Sequence, residues 1–138
     1  KTNTAGSVNA EAYGTWQFAA PVDMATNSSM RVVLLSALVS TNGPAESNSI
    51  WAVSFFKATP GDATVDIHTN LFGAEVFGTN TWADSITNNN RTATLSINVA
   101  SPQLAPGDLA ILKLRRNSTN DTVNGTVAAL DLQAQYTR

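Results

Sequence analysis

The side chains that could carry acid-base or nucleophilic chemistry are few in this chain. His68 is the single histidine, and it lies close to Asp66 in the least regular part of the sequence. A Ser-His-Asp arrangement would have to use His68, but no Gly-x-Ser-x-Gly sequence accompanies it. A lone histidine in a loop is more often a solvated polar residue than a catalyst. The sequence therefore predicts no catalytic residue and no enzyme activity.

The ten carboxylates are spread along the chain without the spacing of a known site. Two of them could form a glycosidase pair, but a domain of this size has little room for a deep cleft beside an intact core. Asp62 with Asp66, or Asp108 with Asp121, could offer oxygen ligands to calcium, yet the Asp-x-Asp-x-Asp-Gly pattern is missing. Turn-capping aspartates explain these positions better. We therefore expect neither a metal nor a cofactor.

The one cationic cluster consists of Lys113, Arg115 and Arg116, at the end of an apolar stretch. Lys113 and Arg115 could contact an acidic partner surface, or they could be solvated charges at the end of the strand. For Arg116 the spacing favours a structural clamp with Asp121, because a planar guanidinium can bind a carboxylate through two hydrogen bonds across the loop at residues 117–120. Carbonyl groups of the loop would take the remaining donors.

The elements that must position these residues have the pattern of short β-strands separated by turns. Pro106-Gly107-Asp108 is a turn sequence, since proline presets φ and glycine tolerates positive φ. In the clearest strand every second residue is apolar: Ala93, Leu95, Ile97 and Val99. Hydroxyl or amide residues lie between them. The last strand predicts one face made of Ala128, Leu130, Leu132, Ala134 and Tyr136. Signals for helix starts and stops are nearly missing.

About seven or eight such strands predict an all-β fold, an antiparallel β-sandwich with jelly-roll topology. An immunoglobulin-like sandwich is the alternative, although the chain lacks the Cys…Trp…Cys spacing of antibody domains. Residues 1–14 are small and polar and predict a flexible N-terminal arm, whereas residues 15–138 predict a single sandwich domain. Residues 62–90 fit neither a period of 2 nor one of 3.6, so their role is left open.

Composition limits the partners. Charged residues make up 13% of the chain and the net charge is -2, so no basic field exists to hold a nucleic-acid backbone. No apolar run is long enough to span a membrane. Cysteine is absent, which removes disulfides, thiolate metal sites and cysteine nucleophiles together. The sequence therefore predicts no nucleic-acid partner and no membrane partner.

Two stretches, residues 30–39 and 109–114, are apolar on both faces. One face of a sandwich strand fills the core, so apolar residues on the other face need a cover from a loop or from a neighbouring subunit. Closed cyclic symmetry would bury them around an axis. We therefore expect a homotrimer, with these residues as candidates for the subunit interface: Val32, Leu34, Leu38, Leu112 and Leu114.

The order of several motifs resembles a known family. The motifs are Trp16 and Phe18, the apolar strand at 31–39, Trp51-x-Val53-x-Phe55, Gly61-Asp62, Leu95-Ser96-Ile97, Leu104-Ala-Pro-Gly-Asp-Leu109, Arg115-Arg116, Asp121-Thr122 and Tyr136. Together they are similar to the small jelly-roll proteins of tailed-bacteriophage virions. That group includes capsid decoration (cement) proteins and related fibre or spike domains.

The resemblance implies a trimeric jelly roll without catalysis, located on the virion. As a decoration protein, the chain would bind the major capsid protein on the outside of the phage head and stabilise the shell. As a tail fibre or spike domain, it would instead recognise a host receptor or glycan, with Trp82 or Tyr13 as exposed aromatics for stacking on sugars. A carbohydrate-binding module from a secreted enzyme is the third alternative.

Overall fold

The computed structural model describes residues 13–26, 28–39, 47–62, 72–82, 91–117, 121–123 and 125–138. Within these ranges the chain forms strands and no helix, so the all-β prediction is confirmed. The seven strands are β1 (Tyr13–Ala19), β2 (Ser28–Leu38), β3 (Ser47–Ala58), β4 (Val76–Trp82), β5 (Arg91–Leu104), β6 (Leu109–Arg116) and β7 (Val127–Gln135). No helix in the described ranges could cross a membrane.

The strands form two antiparallel sheets. Sheet A has four strands in the order β1-β6-β3-β4, and sheet B has three in the order β5-β2-β7. Apolar side chains of both sheets meet in a single core, centred on Leu34, Val53, Phe55 and Leu112. The two sheets therefore pack face to face as a sandwich.

The candidates for the subunit interface lie inside this core. Val32, Leu34, Leu38, Leu112 and Leu114 are all buried by the chain's own residues. The prediction that they form a subunit interface is wrong, because they occupy the inward-facing positions of β2 and β6. Their neighbours of opposite parity on the same strands form the outer faces.

The outer face of sheet A is covered by the chain itself. Ala52 and Phe56 point away from the core but are buried. The Phe72 ring packs on Phe56 with centroids 6.3 Å apart, and the Gly73 amide donates to the Phe55 carbonyl at 2.8 Å. A loop of the same chain, rather than a second subunit, therefore explains why β3 is apolar on both faces.

The predicted alternation holds in β5 and fails in part of β7. Ile97 and Val99 are buried, and the hydroxyl and amide residues between the apolar positions of β5 are exposed. In β7 the pairing with β2 shifts between Leu35 and Ser36, which leaves Leu130 in a bulge and 55% exposed. A bulge reverses the side-chain parity of the strand on one side of it, so Leu130 points to solvent instead of the core.

β1 begins at Tyr13, so Tyr13 and Gly14 are part of sheet A rather than of the predicted arm. Residues 1–12 lie outside the described residues, as do Asp66, His68 and the side chain of Tyr13. The predictions for these residues stay predictions.

Candidate functional site

Arg116 and Asp121 form a buried ion pair at one end of the sandwich. Arg116 follows Leu112 and Leu114 on the inward face of β6, where its side chain would meet apolar surroundings. Its Nε donates to Asp121 Oδ2 at 2.6 Å, and its Nη2 donates to Asp121 Oδ1 at 2.9 Å. The other guanidinium hydrogens reach the carbonyls of Val123 and Gly125, each at 3.3 Å. The structure therefore brings together the clamp that the sequence predicts.

The Asp121 carboxylate also organises the chain around it. Its Oδ1 accepts from the Val123 amide at 2.9 Å, and its Oδ2 accepts from the Ile50 amide at 3.4 Å. The next residue, Thr122, exchanges hydrogen bonds with Asn48 at the start of β3, at 2.9 and 2.8 Å. The pair thus fastens residues 121–123 to both β6 and β3, which closes this end of the core.

The cationic cluster divides between the two faces of β6. Arg115 points outward and binds Glu75 through two hydrogen bonds, Nε to Oε1 at 3.0 Å and Nη2 to Oε2 at 2.6 Å. The hydrogen bonds from Arg115 lower the pKa of Glu75. Lys113 lies over the Phe72 ring, 5.5 Å from its centroid. Arg115 and Lys113 therefore hold the loop that covers sheet A, and their contact with an outside partner stays a prediction.

Trp82 is not an exposed aromatic. It is 2% exposed, and its indole Nε1 donates to Ser49 Oγ at 2.9 Å within the sandwich. The prediction that it stacks on a partner is wrong, because β4 places it on the inward face. Another buried polar contact lies nearby and joins the two sheets: Asn80 Nδ2 of β4 donates to Ser36 Oγ of β2 at 2.8 Å. The sequence signal for these contacts is a serine within an apolar strand, Ser36 in β2 and Ser49 in β3. Their partners, Asn80 and Trp82, are far away in the sequence and are shown only by the tertiary structure.

Asp108 caps the turn before β6. Its carboxylate accepts from the Ala105 amide at 2.7 Å and lies 3.5 Å from Lys57 Nζ. Burial tends to raise the pKa of Asp108, but hydrogen bonds from Ala105 and Thr59 together with the Lys57 charge outweigh burial, so the pKa is lowered. Asp108 and Asp121 lie at opposite ends of β6 and cannot share a calcium ion. No group of three metal-ligating residues occurs in the part of the chain that the structure describes.

The outer face of sheet B carries the second apolar face that the sequence predicts for β2, but at residues other than the predicted ones. Val33 and Leu35 occupy its middle, on the outward positions of β2. The flanking strands place hydroxyl and amide residues beside them, such as Ser96 and Gln133, and the one carboxylate in the middle of the face is Asp131. Leu130 at the β7 bulge is 55% exposed, and this face therefore presents apolar groups in a surface that also carries the charged residues Arg31 and Asp131.

A groove of about 400 Å³ opens between β1 and β7, on the side of the sandwich where the two sheets end. Its walls are mostly apolar and include Trp16, Phe18, Leu132 and Tyr136. Trp16 is paired with Leu112, which points into the core, yet Trp16 is 41% exposed. Because this inward-facing tryptophan meets solvent, the core is open at this edge within the described part of the chain.

Comparisons with protein-family models, with curated proteins and with solved structures find no match for this chain. Function is accordingly inferred from its residues and their geometry.

Proposed function

We propose that this chain is a virion structural protein, a decoration protein that binds the outside of a phage head as a homotrimer and stabilises the shell. The motif order from Trp16 to Tyr136 supplies the resemblance to that family. The two facing antiparallel sheets, with strand orders β1-β6-β3-β4 and β5-β2-β7, support the jelly roll that this resemblance implies.

The observation that carries the proposal is the outer face of sheet B. Large apolar groups on a flat sheet face need a cover when no loop of the same chain supplies one. Val33 and Leu35, which are half-buried, and the exposed Leu130 supply apolar groups on this face. Most side chains beside them are neutral hydroxyl and amide groups, which cost less to desolvate than charges such as Arg31 and Asp131. We propose that this face, and not the core-facing residues, joins the subunits.

The mechanism needs no bond chemistry. A protein that binds the assembled shell but not its separate subunits stabilises the shell by mass action, and the effect grows with affinity and occupancy. A trimer adds avidity, because each further contact forms at high effective concentration once the first has formed. The Arg116–Asp121 pair holds residues 121–123 to the sandwich, and the sandwich would bridge neighbouring capsid subunits.

Binding to purified phage heads that lack the protein tests this function. We expect hundreds of copies per head and a higher temperature of DNA release from the decorated heads. Leu130→Asp should lower occupancy, because it places a charge in the subunit interface and removes avidity. Thr79→Asp is the matched control, since Thr79 is exposed on β4 of the other sheet and should leave occupancy unchanged. A copy number of a few tens or fewer would exclude a shell component.

The second candidate is a glycan-binding module of a tail fibre, a spike or a secreted enzyme. The groove between β1 and β7 favours it, because Trp16 and Tyr136 there offer the aromatic faces on which sugars stack. Oligosaccharide binding that shifts Trp16 fluorescence, together with a low copy number on the virion, would support this candidate over decoration.

A further inference from the structure

The outer face of sheet B carries two opposite charges at separate places. Arg31 of β2 pairs with Gln135 of β7. Asp131 of β7 pairs with Leu35, which lies four residues further along β2. Four residues along a strand and one strand across therefore separate the two charges, which corresponds to roughly 14 Å between their Cα atoms. Both side chains are exposed.

Neutral groups of the same chain hold these two charges. Arg31 Nη2 donates to Ser96 Oγ at 2.8 Å, so its guanidinium reaches toward β5 and away from β7. Asp131 Oδ1 accepts from the Leu132 amide at 2.9 Å, and its Oδ2 accepts from Gln133 Nε2 at 3.0 Å. Among the described residues neither charge forms an ion pair. Each of them can therefore still take an oppositely charged partner from outside the chain.

The surface between the two charges suits contact with another protein surface. Val33 and Leu35 are half-buried there, and Leu130 is 55% exposed. Neutral hydroxyl groups of β5 flank them on one side, and the Gln133 amide flanks them on the other. Neutral groups cost less to desolvate than charges, so the two charges are the groups that select a partner and its orientation.

This pattern favours a copy of the chain over an unrelated partner. An acidic surface would match Arg31 but repel Asp131, and a basic surface would do the reverse. A second copy carries both signs at the same spacing and can match both. The net charge of -2 gives two copies no long-range attraction, so pairing at short range must set their orientation.

We propose that Arg31 of one chain pairs with Asp131 of the next copy, and that this ion pair fixes how the subunits of the homotrimer meet. Contacts around a threefold axis are head-to-tail, so one part of each subunit meets a different part of its neighbour. Such a contact needs two complementary sites on one chain, which Arg31 and Asp131 provide. The inference rests on the proposed homotrimer but not on attachment to a phage head.

Charge reversal tests the pair, with the mass of the full-length protein measured by light scattering over a dilution series. Arg31→Asp and Asp131→Arg should each raise the concentration at which the trimer half-dissociates by about tenfold or more, because like charges then face each other. One variant lowers the net charge and the other raises it, so an effect of net charge alone would have opposite signs. The double variant should return to within about threefold of the parent.

Two controls sharpen the result. Ser96→Ala removes the hydrogen bond that Arg31 makes within the chain, and it should leave the trimer unchanged. A mixture of the two single charge reversals tests the head-to-tail arrangement. Every trimer that contains both variants keeps one pair of like charges, so mixing should restore the trimer only partly. A twofold dimer with one chain of each kind would have two matched pairs and would recover completely.

Several results would overturn the inference. Single reversals that dissociate no more readily than the parent would show that the pair does not form, while leaving the trimer in place. Losses that add in the double variant would show that Arg31 and Asp131 act separately. Complete recovery on mixing would replace the threefold arrangement with a twofold one.

The outcome for the proposed function can be separated from these results. A parent protein that stays monomeric would remove both the pair and the proposed subunit interface. A trimer that responds to charge reversal as expected, but does not bind phage heads, would support the pair and remove the decoration role alone.

Discussion

At the scale of single residues, Arg116 shows how a charge can occupy an inward-facing strand position. A lone buried guanidinium would be strongly unfavourable, but here Asp121 and two carbonyls take its hydrogen bonds. Asp121 also fixes the Val123 and Ile50 amides, so its carboxylate is satisfied on several sides. Such a pair gives little net stability over an apolar pair, yet removal of one partner leaves the other buried and uncompensated.

Arg116→Ala and Asp121→Ala should therefore each lower the free energy of unfolding by about 3–5 kcal/mol, because each leaves a buried group without its partner. The double variant should lose much less than the sum of the two, as measured by urea denaturation. Arg115→Ala is the matched control on the outer face, where the more exposed pair with Glu75 should contribute about 1 kcal/mol. Additive losses in the double variant would show that Arg116 and Asp121 do not interact.

Asp108 makes stability depend on pH. Its pKa in the folded chain is lowered, so its contribution is present above the unfolded value of about 3.9 and is lost as pH falls through the folded value. Urea denaturation from about pH 6 down to about pH 3 should show this loss, and Asp108→Asn should make the curve flatter. Asp23→Asn is the control, because Asp23 is exposed and lies away from the outer face of sheet B. An unchanged slope in Asp108→Asn would contradict the prediction.

At the scale of elements, β4 and β5 close one side of the sandwich because Gly78 lacks a side chain. A Cβ at Gly78 would lie 2.7 Å from Ile97 Cγ1 and 2.9 Å from Leu95 Cδ2. These contacts are shorter than packed side chains accept, so the core cannot take even a methyl group there without movement.

Gly78→Val should thus lower the free energy of unfolding by about 1–3 kcal/mol, through overpacking against β5. The next residue provides the control: Thr79→Val places the same valine on the exposed face, where threonine already fills a similar volume, and should change stability by less than about 0.5 kcal/mol. Thermal unfolding followed by circular dichroism measures both. A Gly78→Val variant as stable as the parent would show that the two strands separate easily.

At the scale of the whole molecule, the proposal that the outer face of sheet B joins the subunits makes the oligomeric state the quantity to measure. Multi-angle light scattering at micromolar concentration should give a mass three times that of one chain, which is 14.5 kDa. Leu130→Asp should return the mass to that of one chain, because it charges the proposed interface, whereas Thr79→Asp should not. A parent protein that is monomeric at these concentrations would remove the proposed interface.

The amino-acid sequence by itself was sufficient for the fold class and for one local contact. Period-2 patterns such as that of β5 specify strands because successive side chains point to opposite faces of a sheet. The Arg116–Asp121 pair could be predicted because its partners are five residues apart along the chain. Both depend on local geometry.

For strands that are apolar on both faces, only the tertiary structure decided which face is inside. Leu34 and Leu35 are equally apolar, yet the sheet pairing places Leu34 in the core and Leu35 outside. Leu130 points outward because of a bulge set by its pairing with β2. Trp82 is buried because its position on β4 places it in the core, where its indole donates to Ser49 of β3. When both faces of a strand are apolar, the alternation of its side chains does not show which face is inside. Only its pairing with distant strands determines this.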